Sequence, residues 1–449
     1  MAKASRYSTP GVYVQEVANP ISIAEVETAI PAFIGYTEKA PAKNAPIKIS
    51  SLLEFEEKFG LPSPESIIMT VVAEGGTINV SVPDIKPKYC LHYQMQMFFG
   101  NEGGTCYIVS VGKFSKHKKS KTALLSGLRS IKKKEEITLI VFADSPKKEH
   151  HELNKAALAQ AGSLGNRFAI LDVPDHRVDE IDAFRNNIGT QHLSYGAAYY
   201  PKLITNLRPY YTSKSVVLNF LGSEFNGKTF SVIERKEPLL YNQIKLKLDL
   251  AIKGQNLVLF PSATVAGVYA ANDASRGVWK APANVGLSMV KAPQIKITDE
   301  TQEGLNIDPI SGISVNAIRT FPGVGVMVWG ARTLAGNDNE WRYVSVRRFV
   351  INVEESIKKS IAAFVFEPNN ANTWTRARAS LENYLTGKWR EGALAGAKPE
   401  DAFYVRVGLG QSMTAQDVLE GRMIIEIGIA VVRPAEFIII RLTQMMPIT

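Results

Sequence analysis

Gly222-Ser-Glu-Phe-Asn-Gly-Lys-Thr229 matches, letter for letter, the glycine-rich loop that cradles nucleotide phosphates. That chemistry needs a helix starting at the Lys-Thr pair, so that backbone N–H groups and the helix dipole face the phosphate. The flanks argue otherwise. Val216–Leu221 reads as a strand, Asn226-Gly227 is a strong hairpin turn, and Phe230-Ser-Val-Ile-Glu234 reads as a second strand. A β-hairpin is therefore preferred to an NTP site. Asp172, Asp175, His176 and Ser194 supply the residue types of a serine-hydrolase triad, but no nucleophile-elbow motif accompanies them. None of the six histidines has an i,i+4 partner of metal-binding type. Two cysteines, Cys90 and Cys106, give neither a disulfide framework nor a metal cluster. Gly323-Val-Gly-Val-Met-Val-Trp-Gly330 lacks dinucleotide spacing, and close strand approach accounts for its glycines. The reading is a protein without catalytic residues, metal or cofactor. Nucleotide binding at Gly222–Thr229 and serine hydrolysis stand as the alternatives.

Charge points the same way. The net charge is +9, with much of the excess in Lys116, Lys118, Lys119, Lys121, Lys132, Lys133 and Lys134. A nucleic-acid surface would interleave stacking aromatics, and only Phe114 is near. Leu124, Leu128 and Ile131 instead give Lys121–Lys134 one buried face, which makes the lysines a solvated one and nucleic acid no partner. The 449 residues suit two or three compact parts. Met1–Pro10 is polar and does not read as a signal peptide, and Phe437–Ile440 is far too short to span a bilayer. A soluble chain without direct membrane insertion is expected.

The elements that must carry any function alternate. Strands are expected at Ile30–Tyr36, Cys106–Val111, Ile137–Ala143, Phe168–Val173 and Gly196–Tyr200. Helices are expected at Leu52–Phe59 (capped by Ser51), 91–99, Lys121–Lys134, His151–Ala161 and Val178–Asn187. Alternation of this kind predicts a helix-covered, largely parallel sheet. A β-rich insertion is expected at about 205–252, after which Leu257–Pro261 resumes the sheet. Further on, Trp341–Ile351 reads as a strand, Val353–Phe364 as a helix, and Asn372 or Thr373 as the cap of a helix to about Gly387. Met423–Val431 and Glu436–Gln444 read as closing strands.

Both ends are unusual. Val12-Tyr13-Val14-Gln15-Glu16-Val17 is a lone strand with no hairpin partner, cut off from the body by Asn19-Pro20. A lone strand must join a distant sheet or another chain. Phe437-Ile438-Ile439-Ile440-Arg441-Leu442 is apolar on both alternating faces up to Ile440, as in a strand covered on both sides.

Several segments resemble the contractile tail-sheath family of tailed phages and phage-derived extracellular injection systems, including the antifeeding prophage and Photorhabdus virulence cassettes. They are Thr9–Val17, Phe98–Gly104, Arg167–Pro174, Ala266–Ala270, Arg276–Asn284, Val328–Thr333, Trp341–Arg348, Gly392–Gly396 and Arg433–Phe437. Each is weak alone. Together they run collinearly along nearly the whole chain. The lack of large extra outer domains makes the chain more similar to the compact sheaths of extracellular systems.

The resemblance implies an α/β fold, α+β overall, in three parts. These are an N-terminal linker arm (1–24), a middle domain with a helix-covered mixed sheet (25–335), and a C-terminal domain (336–449) with a terminal exchange strand at 434–446. It implies a non-enzymatic subunit that forms stacked hexameric rings around an inner tube and contracts to drive that tube through a target membrane. Partners would be further copies of the chain, the tube protein, and baseplate and terminal cap proteins, with sibling sheath proteins a further candidate. Assembly in the bacterial cytoplasm would precede release in a particle. Val12, Tyr13, Val14, Gln15, Val17, Phe437, Ile438, Ile439, Ile440 and Leu442 would be donated to neighbouring copies. Lys358, Lys359, Arg376, Arg378 and Lys388 are the basic residues expected to meet an acidic tube wall.

Overall fold

Residues 31–37 are buried along their whole length, which a strand tolerates only when both sheet faces are covered. The computed structural model describes residues 22–74, 77–114, 119–174, 179–306 and 308–437, and places this strand at the heart of a nine-stranded sheet. The strands lie in the order Val285–Gly286, Gly325–Trp329, Val315–Phe321, Gly196–Tyr200, Phe168–Asp172, Leu139–Phe142, Pro31–Thr37, Cys106–Lys113, Pro46–Ile49. Neighbours from Val315–Phe321 through Cys106–Lys113 run parallel, and the strands at the two edges are antiparallel. The expected mixed, helix-covered sheet is the one observed.

Period-two alternation sends neighbouring residues to opposite cores. Ile34, Val109, Ile140, Ala169 and Ala198 face one core, closed by Leu124 and Leu128 of helix Lys121–Ser130, Leu153 and Ala157 of His150–Leu164, and Phe184. Phe33, Ile108, Val141, Ile170 and Tyr199 face the other, closed by Phe55 and Phe59, by Met95 and Phe98 of Leu91–Gly100, and by Val265 and Tyr269 of Ser262–Arg276. Helix Leu52–Phe59 starts as expected, with Ser51 Oγ accepting from the Glu54 N–H and Gly60 closing the end.

Several expected elements differ. The β-rich insertion is mostly helical. Val216–Asn219 pairs with Ile67–Glu74, itself paired with Thr77–Ser81, and helices Phe230–Lys236 and Pro238–Lys253 pack on this small sheet. Ile244, Leu248 and Ile252 form the inward stripe of the longer helix. Val258–Leu259 does not rejoin the large sheet. It pairs in a separate three-stranded sheet with Leu203–Thr205, which also pairs Val290–Pro293.

Trp341–Ile351 is not a strand: Val344–Ile361 is one helix. Val344-Ser345-Val346-Arg347 alternates as a strand would, whereas the helical stripe Ser345, Arg348 and Asn352 is polar yet buried. The following helix, Ala371–Arg390, is capped by Asn370, not by Asn372 or Thr373. The closing strand is shorter than expected, Glu426–Ile429. Gly323 and Gly325 sit at φ +75° and +109° in the turn between two strands, so turn conformation explains them. Close approach applies at Gly330, where a Cβ would lie 2.8 Å from Asn316 Oδ1.

Cα packing divides the chain into two units. The larger joins Glu27–Asn352 with the segment from Arg433. The smaller joins Val353–Val432 with the segment ending at Val26. Within the larger unit, Arg348 is held by Asp273 at 2.6 and 3.0 Å, by the Thr28 carbonyl at 3.0 Å and by the Tyr269 ring at 4.5 Å, with both charges almost wholly buried. Removing one partner of such a pair strands the other charge away from water. Asp273→Ala should therefore lower unfolding free energy by about 3–5 kcal/mol, read by chemical denaturation of the monomer. Wild-type stability in that variant would show that the pair is not an anchor.

Candidate functional site

The residues expected to make contacts between copies lie at the ends of the chain. Val12, Tyr13, Val14, Gln15 and Val17 fall outside the described residues, as do Ile438, Ile439, Ile440 and Leu442. Phe437 is described, 67% exposed and in no strand. The smaller unit holds the sheet such tails could complete. Phe403–Arg406 pairs antiparallel with Glu426–Ile429, and among the described residues no further strand joins either. Two strands of four residues are marginal alone in water.

The five basic candidates separate. Lys358 and Lys359 are exposed, and Lys358 lies 3.2 Å from Glu355. Arg376 reaches Glu367 at 3.4 Å and lies over the Phe364 ring, while Arg378 donates to the Val407 carbonyl at 2.6 Å and to Gln411 at 2.7 Å. Lys388 is a correction. Its side chain is 6% exposed and clamped between Glu25 at 2.7 Å and Glu391 at 2.8 Å, so it fastens the segment ending at Val26 onto helix Ala371–Arg390 and presents no charge outward. Lys119 is a second correction. It leaves the solvated lysine run to pair with buried Asp144 at 3.1 Å.

Two segments singled out in the sequence meet in the larger unit. Arg332 Nε donates to Glu436 Oε1 at 2.9 Å and its Nη2 to Oε2 at 2.6 Å. Asn306 Nδ2 and the Tyr343 hydroxyl also donate to that carboxylate. Burial works to raise the Glu436 pKa, but the Arg332 and Asn306 bonds outweigh it and hold it below the usual value. Beside the pair lies a groove of about 680 Å³ lined by Asn284, Trp329, Tyr343, Pro434 and Phe437 among others. No sequence signal joined Arg332 to Glu436, because nothing in spacing reports a contact across 104 residues.

The phosphate-loop pattern is placed between a strand and a helix, since Phe230–Lys236 is helical where a strand was expected. The loop's amides are nevertheless occupied. Ser223 donates to the Phe220 carbonyl, Asn226 to Ser223, Gly227 to Leu218 and Lys228 to Phe225, and an antiparallel bridge joins Val217 to Thr229. A phosphate cradle needs those N–H groups free. The tight return of the hairpin reading is kept, and only its second arm is helical.

The carboxyl ends of parallel strands are where open α/β sheets bind ligands. Here that edge is filled by the chain's own polar groups. Asp144 accepts from the Tyr36 and Cys90 amides at 2.9 and 2.6 Å. Asp172 meets Ser262, a serine absent from the expected set, and Asp175 and His176 lie outside the described residues. Ser262 Oγ donates to Asp172 Oδ2 at 2.6 Å, so it serves the carboxylate and not a base. His150 Nε2 lies 3.1 Å from the Asp172 carbonyl, and its Nδ1 has no partner. All three residues are buried, which leaves no nucleophile–base pair open to substrate. Burial pushes the Cys90 thiol up to about 12, so it is no thiolate nucleophile. Among the described residues no cluster of His, Cys, Asp and Glu could hold a metal, and no helix is long and apolar enough to cross a membrane.

Burial pushes Asp172 up to about 7, although the Ser262 bonds oppose it, and pushes His150 down to about 3. The signs are opposite. Asp172 contributes stability below its unfolded pKa that is lost as pH rises through 7. His150 contributes stability at neutral pH that is lost as pH falls below its unfolded value toward 3. Asp172→Asn keeps the bond from the Ser262 N–H, reverses the Ser262 Oγ contact so that the amide donates, and removes the first effect. Between pH 4 and pH 8 the variant should gain up to about 4 kcal/mol relative to wild type in denaturant titrations, and should show the His150 acid loss alone. A pH-independent difference would contradict the assignment.

A family model for the phage tail sheath C-terminal domain matches residues 336–444. Among solved structures, the chain is similar to the contracted-state PVC sheath complex of an extracellular contractile injection system, with 30% identity, a TM-score of 0.68, and 98% of this chain and 99% of that one covered. Similarity to the helical sheath of the anti-feeding prophage in its contracted state has the same identity, TM-score and coverage. A chain of the anti-feeding prophage baseplate, 6-fold symmetrised, is 31% identical with a TM-score of 0.66, over 98% of this chain and 100% of that one. No curated protein matches. Identity at this level along essentially the full length of each chain shows that this protein belongs to the contractile sheath proteins and is a structural sheath subunit of a phage-tail-like injection system.

Proposed function

We propose that the chain polymerises as stacked hexameric rings around an inner tube and contracts to drive that tube through a target membrane, with neighbouring subunits linked by exchanged strands. The observation that carries the linkage is the sheet of Phe403–Arg406 and Glu426–Ile429, whose outer edges have no strand partner among the described residues. Segments 12–17 and 437–442, which read as strands in the sequence, each need a sheet, and this one has two short strands. Donation would give backbone hydrogen bonds for affinity and alternate side-chain pockets for register. In this reading residues 1–24 are a linker arm, 434–446 an exchange strand, and the baseplate and a terminal cap are the further partners. No catalytic step enters, because contraction releases energy stored at assembly. Similarity to chains solved within a sheath complex and a baseplate supports these partners and a released particle as the destination.

Grip on the tube falls to exposed bases. Lys358 and Lys359, at the end of Val344–Ile361, remain the best candidates, with Arg376 and Arg378 already engaged and Lys388 turned inward. Wet electrostatic contacts are adjustable and suit a sheath that must later slide.

Deleting residues 1–20 should leave a folded monomer, by circular dichroism, that forms no cylinders in negative-stain images. Full-length cylinders from that truncation would end the exchanged-strand reading. Reversing Lys358 and Lys359 to Glu should leave folding unchanged and cut tube co-sedimentation by about tenfold, the effect of losing about 1.4 kcal/mol of charge complementarity. Unchanged tube capture would remove this pair from the tube interface.

A further inference from the structure

Glu436 lies immediately before the apolar segment that the exchange reading donates, and its carboxylate is the most heavily bonded group of the described C-terminal segment. Arg332 grips it through two nitrogens, with Asn306 and Tyr343 added. Arg332 is in turn fixed. Its Nη1 donates to the carbonyls of Asn306 and Gly336. Its N–H donates to Asn316 Oδ1 at 2.7 Å, and Asn316 Nδ2 donates back to the Arg332 carbonyl at 2.8 Å and to the Ala198 carbonyl at 3.1 Å. Asn316 belongs to Val315–Phe321 and Ala198 to Gly196–Tyr200, adjacent strands of the nine-stranded sheet. A continuous series of hydrogen bonds thus runs from Glu436 into the strongest element of the fold.

The alternative point of departure is weak. Without a hold at Glu436, the last regular elements before the tail are Glu426–Ile429, four residues long, and the single antiparallel bridge of Val431 to Leu394 that follows it. Tension applied beyond it would peel that strand one hydrogen bond at a time. A bidentate guanidinium–carboxylate pair loads its bonds together, and its charge-assisted bonds are stronger than neutral ones.

We propose that Arg332 and Glu436 form a strain-relief clasp, which carries tension from the donated C-terminal strand into the large sheet and shields the Phe403–Glu426 strand pair from it. The clasp also fixes the tail's reach. The residues to be donated, 437–442, extend at most about 20 Å beyond Glu436, so the receiving edge of the second copy begins within that distance of Arg332. This inference rests on the strand-exchange reading.

The test compares full-length chain with Glu436→Ala, the milder Glu436→Gln, and a deletion of residues 438–449. Monomers are examined by hydrogen exchange over residues 430–437. Sheaths assembled on tube are triggered to contract and imaged. The clasp predicts exchange about tenfold faster in Glu436→Ala than in wild type, with Glu436→Gln between them. It predicts Glu436→Ala cylinders that assemble and then sever on contraction several-fold more often than wild type. Should Glu436→Ala fail to fold, Glu436→Gln carries the same comparison. Glu436 variants that exchange and contract as wild type, beside a 438–449 deletion that cannot assemble, overturn the clasp and keep strand exchange. A 438–449 deletion that still assembles overturns strand exchange and the clasp with it.

Discussion

A backbone edge cannot stay unsatisfied, and this constraint organises the molecule. In the larger unit it is met internally. Parallel strands are hydrogen-bonded on both sides, and antiparallel strands at Pro46–Ile49 and Val285–Gly286 finish the edges. In the smaller unit two short strands leave both outer edges without a strand partner among the described residues. One sheet is long and edged by strands of two and four residues, whereas the other has only two strands of four among the described residues. On the proposed reading, the chain's own ends, in other copies, make up the difference.

Buried charge pairs hold the segments that such an assembly would load. Arg348 with Asp273 fixes the start of Val344–Ile361 in the larger unit. Lys388 with Glu25 fastens the chain where residues 1–24 would depart, and Arg332 with Glu436 fastens it where the C-terminal strand would depart. Surface pairs of this kind contribute little, but buried ones cost several kcal/mol when one partner is lost, so they define positions sharply.

The edge of the sheet where α/β proteins bind ligands is closed by the chain's own groups. Asp144 accepts from backbone amides, Asp172 accepts from Ser262 and His150 contacts the Asp172 carbonyl, while burial keeps His150 neutral and pushes Asp172 up to about 7. The fold retains the architecture on which catalysis is often built, while these side chains do structural work. Fold and chemistry are separable, and this sheet is an instance.

Sequence alone determined the alternating core and the collinear family segments. Strands such as Pro31–Thr37 and Phe168–Asp172, and amphipathic helices such as Lys121–Ser130, carry a period that local residues write and neighbours only reinforce. Tertiary structure decided the rest. Residues 344–351 became helix although Val344 to Arg347 alternate like a strand, because Arg348, on one stripe with Ser345 and Asn352, found a buried partner in Asp273. Phe230–Lys236 became helix because Phe230 and Ile233, one turn apart, found a shared apolar wall on strands that arrive from Ile67–Glu74. Lys388, Lys119, Arg332 and Ser262 took their roles from Glu25, Asp144, Glu436 and Asp172, partners 25 to 363 residues away or brought in by the opposite layer. Periodicity is local and survives in a sequence, whereas an ion pair depends on two distant backbones arriving within about 3 Å, which only packing fixes.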